Sequence, residues 1–367
     1  KKDITERLFA LYARANYSYN DKYMVTATIR HEGSSKFAAE NRWGNFWALS
    51  GGWRVSGEEF MKEFDWVNDL KIRFGYGVTG NNDFSATYMA NMLGSDTNWM
   101  MPNGTWAYSY GKSQNVNPNL GWEEKKEWNL GVDYSFFEGR LYGKFDYYRR
   151  EVDNLLFSVK VPQPPYTQGS QMQNIGSMES KGWEFEVGGD IIRTKDFTCS
   201  SSMNLSHNTG KILTLEGDNS YHNGNGFVAP GTPGDAARME AGSTIGSFYM
   251  WKFAGFDDEG SFLLYNKDGE VIPAAQKTEN DKQYIGNYTP KLIIGWSHTL
   301  TYKNFDLGIN LRSWIDFDVY NTINMYYGIQ GQGNLNVLKD AYGKFNHIKG
   351  EKQVCDYFLE DGTFLKI

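Results

Sequence analysis

The sequence predicts an all-β protein, an antiparallel transmembrane β-barrel of which this chain supplies about ten spans. Apolar and polar residues alternate along segments of about ten residues, the length that a tilted strand needs to cross a bilayer. Tight turns alternate with long loops, and charged side chains lie on the polar side of the strands. In the stretch 22–37, for example, Tyr23, Val25, Ala27 and Ile29 alternate with Met24, Thr26, Thr28 and Arg30. Such a strand has two unlike faces, and alternation alone leaves open whether protein or lipid covers the apolar face.

Composition narrows the class of protein. The chain has 367 residues, a net charge of −7 and a pI near 5.4, which argues against a nucleic-acid partner. Aromatic residues reach 16% and glycine numbers 40, while mean hydropathy is −0.58, as expected when half of each strand is polar. No apolar run is long enough for a transmembrane helix. Cys199 and Cys355 are far apart, and we expect free thiols rather than a disulfide.

Ten segments have the alternation and length of spanning strands. Their predicted bounds are 8–19, 22–31, 44–55, 70–80, 124–136, 141–150, 182–189, 197–207, 291–301 and 305–315. Strands of soluble sheets usually have about five or six residues, so these lengths favour a membrane barrel.

The connections between these segments also favour a barrel. The tight ones are Asn20-Asp21, Phe137–Arg140, Asp190–Asp196 and Tyr302–Asn304, and the long ones are 81–123, 151–181 and 208–290. Short turns at one end and long loops at the other are typical of outer-membrane barrels. Segment 56–69 is expected to form a helical turn, with Ser56 and Glu59 at capping-box spacing. Segment 246–272 is expected to form a hairpin within a long loop.

Charged residues on the polar side of the strands indicate which face of the sheet contacts water. Fully charged side chains would be costly in a dry core and cost little in a water-filled lumen. We therefore assign the apolar face to lipid. The cations predicted to face the lumen are Arg30, Lys71, Arg73 and Arg312.

No motif indicates catalysis. The G-x-G-x-x-G string Gly75–Gly80 lacks the amphipathic helix that a dinucleotide site needs after it. The five histidines form no H-x-x-x-H pair, and there is neither a G-x-S-x-G elbow nor a C-x-x-C pair. We expect no enzyme and no cofactor. Asp257–Gly260 and Asn266–Glu270 are interpreted as turns, with a Ca²⁺ site in these loops as the less favoured alternative.

Loop 81–123 carries the candidate substrate-binding residues, an aromatic set among Asn, Gly and Ser. The set consists of Trp99, Trp106, Tyr108, Tyr110 and Trp122. Aromatic faces stack on sugar rings and also suit peptides. The favoured alternative is that these residues pack the loop on itself or against a partner protein, because aromatic residues also dominate protein interfaces.

Several strings resemble one family of membrane proteins. They are YNDKYMVTATIRHEGSSKF, NRWGNFWALSGGWRVSGEEFM, DLKIRFGYGVTGNND, PNLGWEEKKEWNLGVDYSFFEGRLYGKFDYYRREVDNLLF, NIGSMESKGWEFEV, IGNYTPKLIIGW and LEDGTFLKI. In order and spacing these strings are similar to the SusC/RagA family of TonB-linked outer-membrane transporters of Gram-negative bacteria.

The resemblance implies a 22-stranded barrel with an N-terminal plug, a SusD-like surface lipoprotein as cap, and coupling to the TonB complex of the inner membrane. It implies import of oligosaccharides or, in some members, oligopeptides; we expect a glycan, the family's commoner substrate. It places residues 1–367 in one C-terminal barrel domain, for which we expect the plug, the TonB box and the last strands to be missing. The predicted lumen cations then set the field along the path or pair with plug carboxylates. Further strands must close the ring, since open edges do not persist in lipid.

Two alternatives remain open. A soluble or surface-attached glycan-binding adhesion protein would use the apolar faces as a dry core, so Trp183→Arg or Ile294→Arg would destroy its folding in water. In a transporter the same changes would block membrane assembly. A plain diffusion porin would lack the family strings and would need no cap protein.

Overall fold

A computed structural model describes residues 5–85, 93–215, 221–223, 237–258, 262–320, 336, 339, 360–361 and 364–366. The strands, in chain order, are β1 Leu8–Tyr19, β2 Tyr23–Ser34, β3 Trp43–Arg54, β4 Val67–Asn81, β5 Leu93–Met100, β6 Trp106–Lys112, β7 Glu123–Phe136, β8 Leu141–Asp153, β9 Leu156–Lys160, β10 Ser170–Asn174, β11 Ser177–Arg193, β12 Phe197–Thr214, β13 Tyr221–Asn223, β14 Arg238–Glu240, β15 Ser247–Met250, β16 Lys252–Phe256, β17 Phe262–Tyr265, β18 Val271–Pro273, β19 Gln283–Asn287, β20 Leu292–Tyr302, β21 Phe305–Ile315, β22 Asp318–Val319, β23 Glu360–Asp361 and β24 Phe364–Lys366.

One antiparallel sheet contains the long strands, in the order β1-β2-β3-β4-β7-β8-β11-β12-β20-β21-β24. Its first ten strands are the ten predicted spans, so the all-β fold is confirmed. The structure extends several of them: β11 covers 177–193 rather than 182–189, and β12 reaches Thr214. The short strand β24 was not predicted, because its three residues are too few to show alternation; it pairs with Arg312–Trp314 of β21.

The cross-strand register continues one apolar face across the first ten strands of the sheet. Ile29 lies opposite Trp47, Phe74 opposite Leu130, and Trp296 opposite Leu311. Leu311 is half-buried and the other five side chains are exposed; Phe74 is 51% exposed and Leu130 is 43% exposed. An apolar surface this extensive is unusual for a soluble protein and typical of a lipid-facing barrel wall.

The ends of the sheet differ as predicted. Turns 20–22, 137–140, 194–196 and 303–304 lie at what we call the short-turn end, and connections 35–42, 82–122, 154–176 and 215–291 lie at the long-loop end. Asn20 and Asp21 both have positive φ, 50° and 54°, as the two central residues of a type I′ turn require, and the backbone N–H of Lys22 closes this turn on the carbonyl oxygen of Tyr19 at 3.0 Å. Of the described helical segments, Val55–Gly57, Glu59–Met61, Ala274–Gln276 and Glu279–Asp281, each is a single 3-10 turn. Within the described residues, no helix is long and apolar enough to cross a membrane.

Segment 56–69 forms helical turns as predicted, but the predicted capping box is wrong. Ser56 Oγ donates to Asp69 Oδ1 at 3.0 Å, and Glu59 pairs with Lys62 at 2.8 Å. Ser56 lies inside the first turn, Val55–Gly57, and Glu58 precedes the second, so Ser56 does not occupy the N-cap position that a capping box needs.

Glu58 anchors this segment to the neighbouring strands. Its carboxylate accepts hydrogen bonds from Tyr23 Oη at 2.6 Å, Trp53 Nε1 at 3.1 Å and Lys22 Nζ at 3.2 Å. The hydrogen bond from Tyr23, followed by those from Trp53 and Lys22, lowers the pKa of Glu58 below its ordinary value of 4.5. The ionised carboxylate therefore holds the turn in place at neutral pH.

Because the hydrogen bonds of Glu58 depend on its ionised form, we expect the turn at 55–61 to lose stability in acid. A lowered folded-state pKa means that the contribution of Glu58 is complete above its unfolded pKa and is lost as the pH falls through the folded value, below 4.5. We expect hydrogen-exchange protection of amides 55–61, corrected for intrinsic rates, to fall in that window, while β7 stays protected. Glu58→Gln should remove the pH step, and a step that persists unchanged in this variant would contradict the assignment.

The predicted hairpin at 246–272 is confirmed in part. Strand β16 pairs with β17, and β17 with β18, so a three-stranded meander occupies 252–273. Strand β15, the beginning of the predicted hairpin, instead pairs with β19. Both small sheets lie outside the main sheet, in the connection between β12 and β20.

Candidate functional site

An ion-pair cluster lies on the polar face of the main sheet. Arg73 Nε contacts Asp133 Oδ2 at 2.7 Å, and its Nη2 contacts Asp133 Oδ1 at 2.8 Å and Asp146 Oδ1 at 3.1 Å. Gly131 supplies the space for this cluster, because an added Cβ there would lie 2.6 Å from both Arg73 Nη2 and Asp146 Oδ1. The three charged residues come from β4, β7 and β8, so the cluster ties three strands together.

Further cross-strand pairs extend the charged surface. Lys144 Nζ lies 3.2 Å from Glu186 Oε2, and Arg150 Nε lies 3.0 Å from Glu127 Oε2. Side chains of Lys144 and Arg150 remain 50% and 40% exposed. The polar face is therefore a surface suited to water rather than to a dry interior.

The register places all four predicted lumen cations on this polar face, each in a different environment. Arg30 Nε pairs with Glu32 Oε2 at 2.7 Å, and Arg73 is held by two aspartates. The Arg312 guanidinium lies 5.3 Å from the centre of the Trp314 ring. Lys71 lines a groove together with Arg73 and has no ion-pair partner among the described residues. From the sequence alone all four cations were assigned the same role, because their ion pairs depend on the register between neighbouring strands.

An apolar cluster packs the loops at the long-loop end. It contains Phe37, Phe46, Phe84, Leu120 and Trp122, with Val78, Leu156 and Met172 against it. Trp122 is only 9% exposed, and its Nε1 donates to the carbonyl oxygen of Arg42 at 3.1 Å. This burial removes Trp122 from the exposed contact set and matches the packing alternative.

Asparagine side chains join two of the long loops. Asn115 Nδ2 donates to the carbonyl oxygens of Gln168 and Ser170, at 2.7 and 2.8 Å. Asn117 Nδ2 donates to the carbonyl oxygen of Met172 at 3.0 Å, and Asn174 Nδ2 donates to that of Gly121 at 3.0 Å. Because these residues substitute for backbone pairing, they fix loop 113–122 against 154–176. The sequence shows many asparagines here but not their partners.

The other four predicted aromatic residues lie on one exposed hairpin, formed by β5 and β6. Trp99, Trp106, Tyr108 and Tyr110 are 66%, 67%, 72% and 68% exposed. Trp106, Tyr108 and Tyr110 alternate along β6 and so share one face, whereas Trp99 lies opposite Ala107, on the other face. Three aromatic side chains in a row form a surface that can stack on the apolar C–H faces of sugar rings.

Two of the remaining motifs have structural roles, and Asp257–Gly260 lies partly outside the described residues. Gly75 to Gly80 all lie within strand β4. In the hairpin turn of NKDGE, Asn266 Oδ1 accepts hydrogen bonds from the backbone N–H of Asp268 at 3.0 Å and of Glu270 at 2.8 Å. Among the residues that the structure describes, no group of three or more His, Cys, Asp and Glu side chains is arranged to hold a metal ion.

Comparison with known proteins agrees with this architecture. The family model described as "TonB dependent receptor-like, beta-barrel" matches residues 1–321. The chain is 31% identical over 377 residues to "TonB-dependent receptor SusC" of Bacteroides thetaiotaomicron, covering 98% of this chain and 37% of that protein. It is 36% identical over 290 residues to "TonB-dependent receptor P39" of Formosa agariphila, covering 77% of this chain and 26% of that protein.

Solved structures show the same fold. The "RagAB peptide transporter" superposes with a TM-score of 0.80 at 24% identity, over 98% of this chain and 40% of that chain. This chain thus spans about two fifths of the length of SusC and of the matched RagAB chain. The names of these relatives describe TonB-dependent receptors and a peptide transporter.

A two-faced sheet with an exposed apolar side, the family match over 1–321 and the similarity to SusC lead to one conclusion: the chain belongs to the TonB-dependent receptor β-barrel family, is SusC- and RagA-like, and contains a section of the barrel wall.

Proposed function

We propose that this chain is part of an outer-membrane importer of a Gram-negative bacterium, which takes up an oligosaccharide through a TonB-dependent barrel capped by a SusD-like lipoprotein. The observation that carries the proposal is the orientation of the sheet: its apolar side chains are exposed and its charged side chains pair with one another on the opposite face. Such a wall suits lipid outside and a polar path inside.

The strand edges support a larger assembly. Among the strands that the structure describes, the main sheet is open, with β1 at one edge and β24 at the other. Unpaired backbone groups are too costly to remain in hydrocarbon, so the sheet requires further strands to close it. The length of the relatives is consistent with a closed barrel of which this chain is one section.

Native mass spectrometry of the detergent-extracted protein from its source membrane tests this function. We expect a polypeptide well above 41.9 kDa that carries a second, lipidated protein. A lone species of 41.9 kDa that stays soluble and monodisperse without detergent would overturn the proposal and favour a soluble glycan-binding protein.

The aromatic hairpin supports a glycan as the substrate, and oligopeptide is the alternative. Replacing Trp106 and Tyr108 together by Ala should raise the KM of glycan uptake about tenfold. The reason is that each aromatic contact contributes about 0.5–1.5 kcal/mol beyond its buried area. The measurement is the KM of uptake in cells that express the full-length importer, with an oligosaccharide pool and a tripeptide pool as competing substrates.

Phe60→Ala provides the control, since Phe60 is also exposed but lies at the short-turn end. Unchanged glycan uptake in the hairpin variant, with loss of the lipoprotein from the purified complex, would show that the hairpin binds the cap protein instead. A selective loss of peptide uptake would reassign the substrate.

A further inference from the structure

A groove of about 580 Å³ lies on the polar face near the centre of β1 to β4 and β7. Its polar lining comes from Asn16, Thr26, Ser50, Lys71, Arg73 and Asn129. Glycines make the room: Gly52 and Gly75 line the groove without side chains, and a Cβ at Gly52 would lie 3.2 Å from Lys71 Cε. The Lys71 side chain therefore extends across Gly52 into the groove.

Lys71 differs from the cations around it because no described carboxylate pairs with its charge. It lies directly opposite Asp133 in the register, but Arg73 already holds both oxygens of that carboxylate, at 2.7 and 2.8 Å. Next to it, Arg54 is held by Asp69 at 2.7 Å. Across the described residues, no carboxylate lies within ion-pair distance of Lys71.

The groove also presents hydrogen-bond donors that the fold does not use. Asn16 Oδ1 accepts from Thr26 Oγ1 at 2.9 Å, which leaves the Asn16 amide NH₂ available. In the described part of the chain, the side chains of Ser50 and Asn129 have no hydrogen-bond partner. Hydroxyl and amide donors beside an ammonium group form a set that matches the two acceptor oxygens of one carboxylate.

We propose that this groove, which we name the Lys71 groove, binds a carboxylate. The net charge immediately around the groove is zero, because the two cations, Lys71 and Arg73, are balanced by the two aspartates, Asp133 and Asp146. Selectivity for a carboxylate therefore comes from direct contact with Lys71 rather than from a long-range field. The proposal rests on the proposed function, in which the polar face lines the path. The carboxylate belongs either to an acidic solute or to a polypeptide segment that fills the barrel.

Chemical labelling of the full-length importer in its membrane separates the two sources. A zero-length carbodiimide coupling reagent, added without any solute, should join Lys71 to an Asp or Glu if a polypeptide carboxylate occupies the groove; peptide mass spectrometry identifies the joined residues.

If an acidic solute is the ligand, trigalacturonate should protect Lys71 from acetylation by an amine-reactive ester, and its methyl ester should not. Lys144, which is paired with Glu186, serves as the internal reference.

A cross-link at Lys71 supports a carboxylate site that is occupied by a polypeptide. Protection of Lys71 by trigalacturonate but not by its methyl ester supports a carboxylate site that binds an acidic solute. Neither a cross-link nor protection overturns the proposal, whatever the basal labelling of Lys71. Lys71→Gln should weaken trigalacturonate binding about tenfold, the loss expected for a hydrogen bond to a charged group, while Lys144→Gln should not. Membrane localisation and glycan uptake of the wild type are measured in parallel, so failure of the groove is distinguishable from failure of the importer function.

Discussion

Arginine in place of Ile309 is expected to prevent assembly of the barrel in the outer membrane. Ile309 lies near the middle of β21, on the apolar face, and is 39% exposed. An arginine near the bilayer midplane costs about 2–4 kcal/mol on the lipid face of a barrel. The full-length variant should therefore be lost from the membrane fraction and should lose the heat-dependent shift in electrophoretic migration that marks a folded barrel.

Ser297→Arg is the matched control. Ser297 lies in the adjacent strand β20, opposite Asn310, and so belongs to the polar face at the same height of the sheet. The same side chain placed there reaches water in a transporter, and assembly should be close to normal. Normal assembly of Ile309→Arg, or equal failure of both variants, would refute the assignment of the two faces. Folding of Ser297→Arg in water without detergent would favour a soluble sheet.

The long strands were predictable because alternation with period two survives along ten or more residues. β1 and β21 have the predicted bounds, 8–19 and 305–315. Strand β24 was missed because three residues carry too little pattern. The extension of β11 was also missed, since Ser177 to Lys181 contains a single apolar residue, Met178, and so shows no alternation.

The contacts at the candidate sites were less predictable, because they depend on which strands are neighbours. Trp106 and Trp122 look alike in sequence, yet one is 67% exposed and the other 9%. Burial of Trp122 requires Phe37 and Phe46, which come from distant parts of the chain. The pairing of Arg73 likewise spans a long connection: Asp133 is 60 residues away, and only the β4–β7 register brings the two together.

Replacing Arg73 should lower the free energy of unfolding of the barrel more than replacing any singly paired cation on the polar face. Arg73→Gln leaves Asp133 and Asp146 close to each other without the guanidinium that separates them. Asp146 is the less accessible, at 15% exposure, whereas water reaches Arg73 and Asp133, so the loss is smaller than for a sealed ion pair. We expect a loss of about 1–3 kcal/mol, the penalty for leaving charged hydrogen-bonding groups unpaired.

Urea unfolding of the full-length barrel in detergent measures this loss, with Arg54→Gln as the matched control because Arg54 contacts a single, more exposed carboxylate, Asp69, at 2.7 Å. Asp146→Asn introduced into Arg73→Gln should restore part of the stability, since it removes one of the two repelling charges. Equal loss in Arg54→Gln and Arg73→Gln, or no recovery in the double variant, would contradict the cluster's role. Recovery would show that the two aspartates, brought together by β7 and β8, require a cation from β4, which makes the ion-pair cluster a cross-strand tie of the wall.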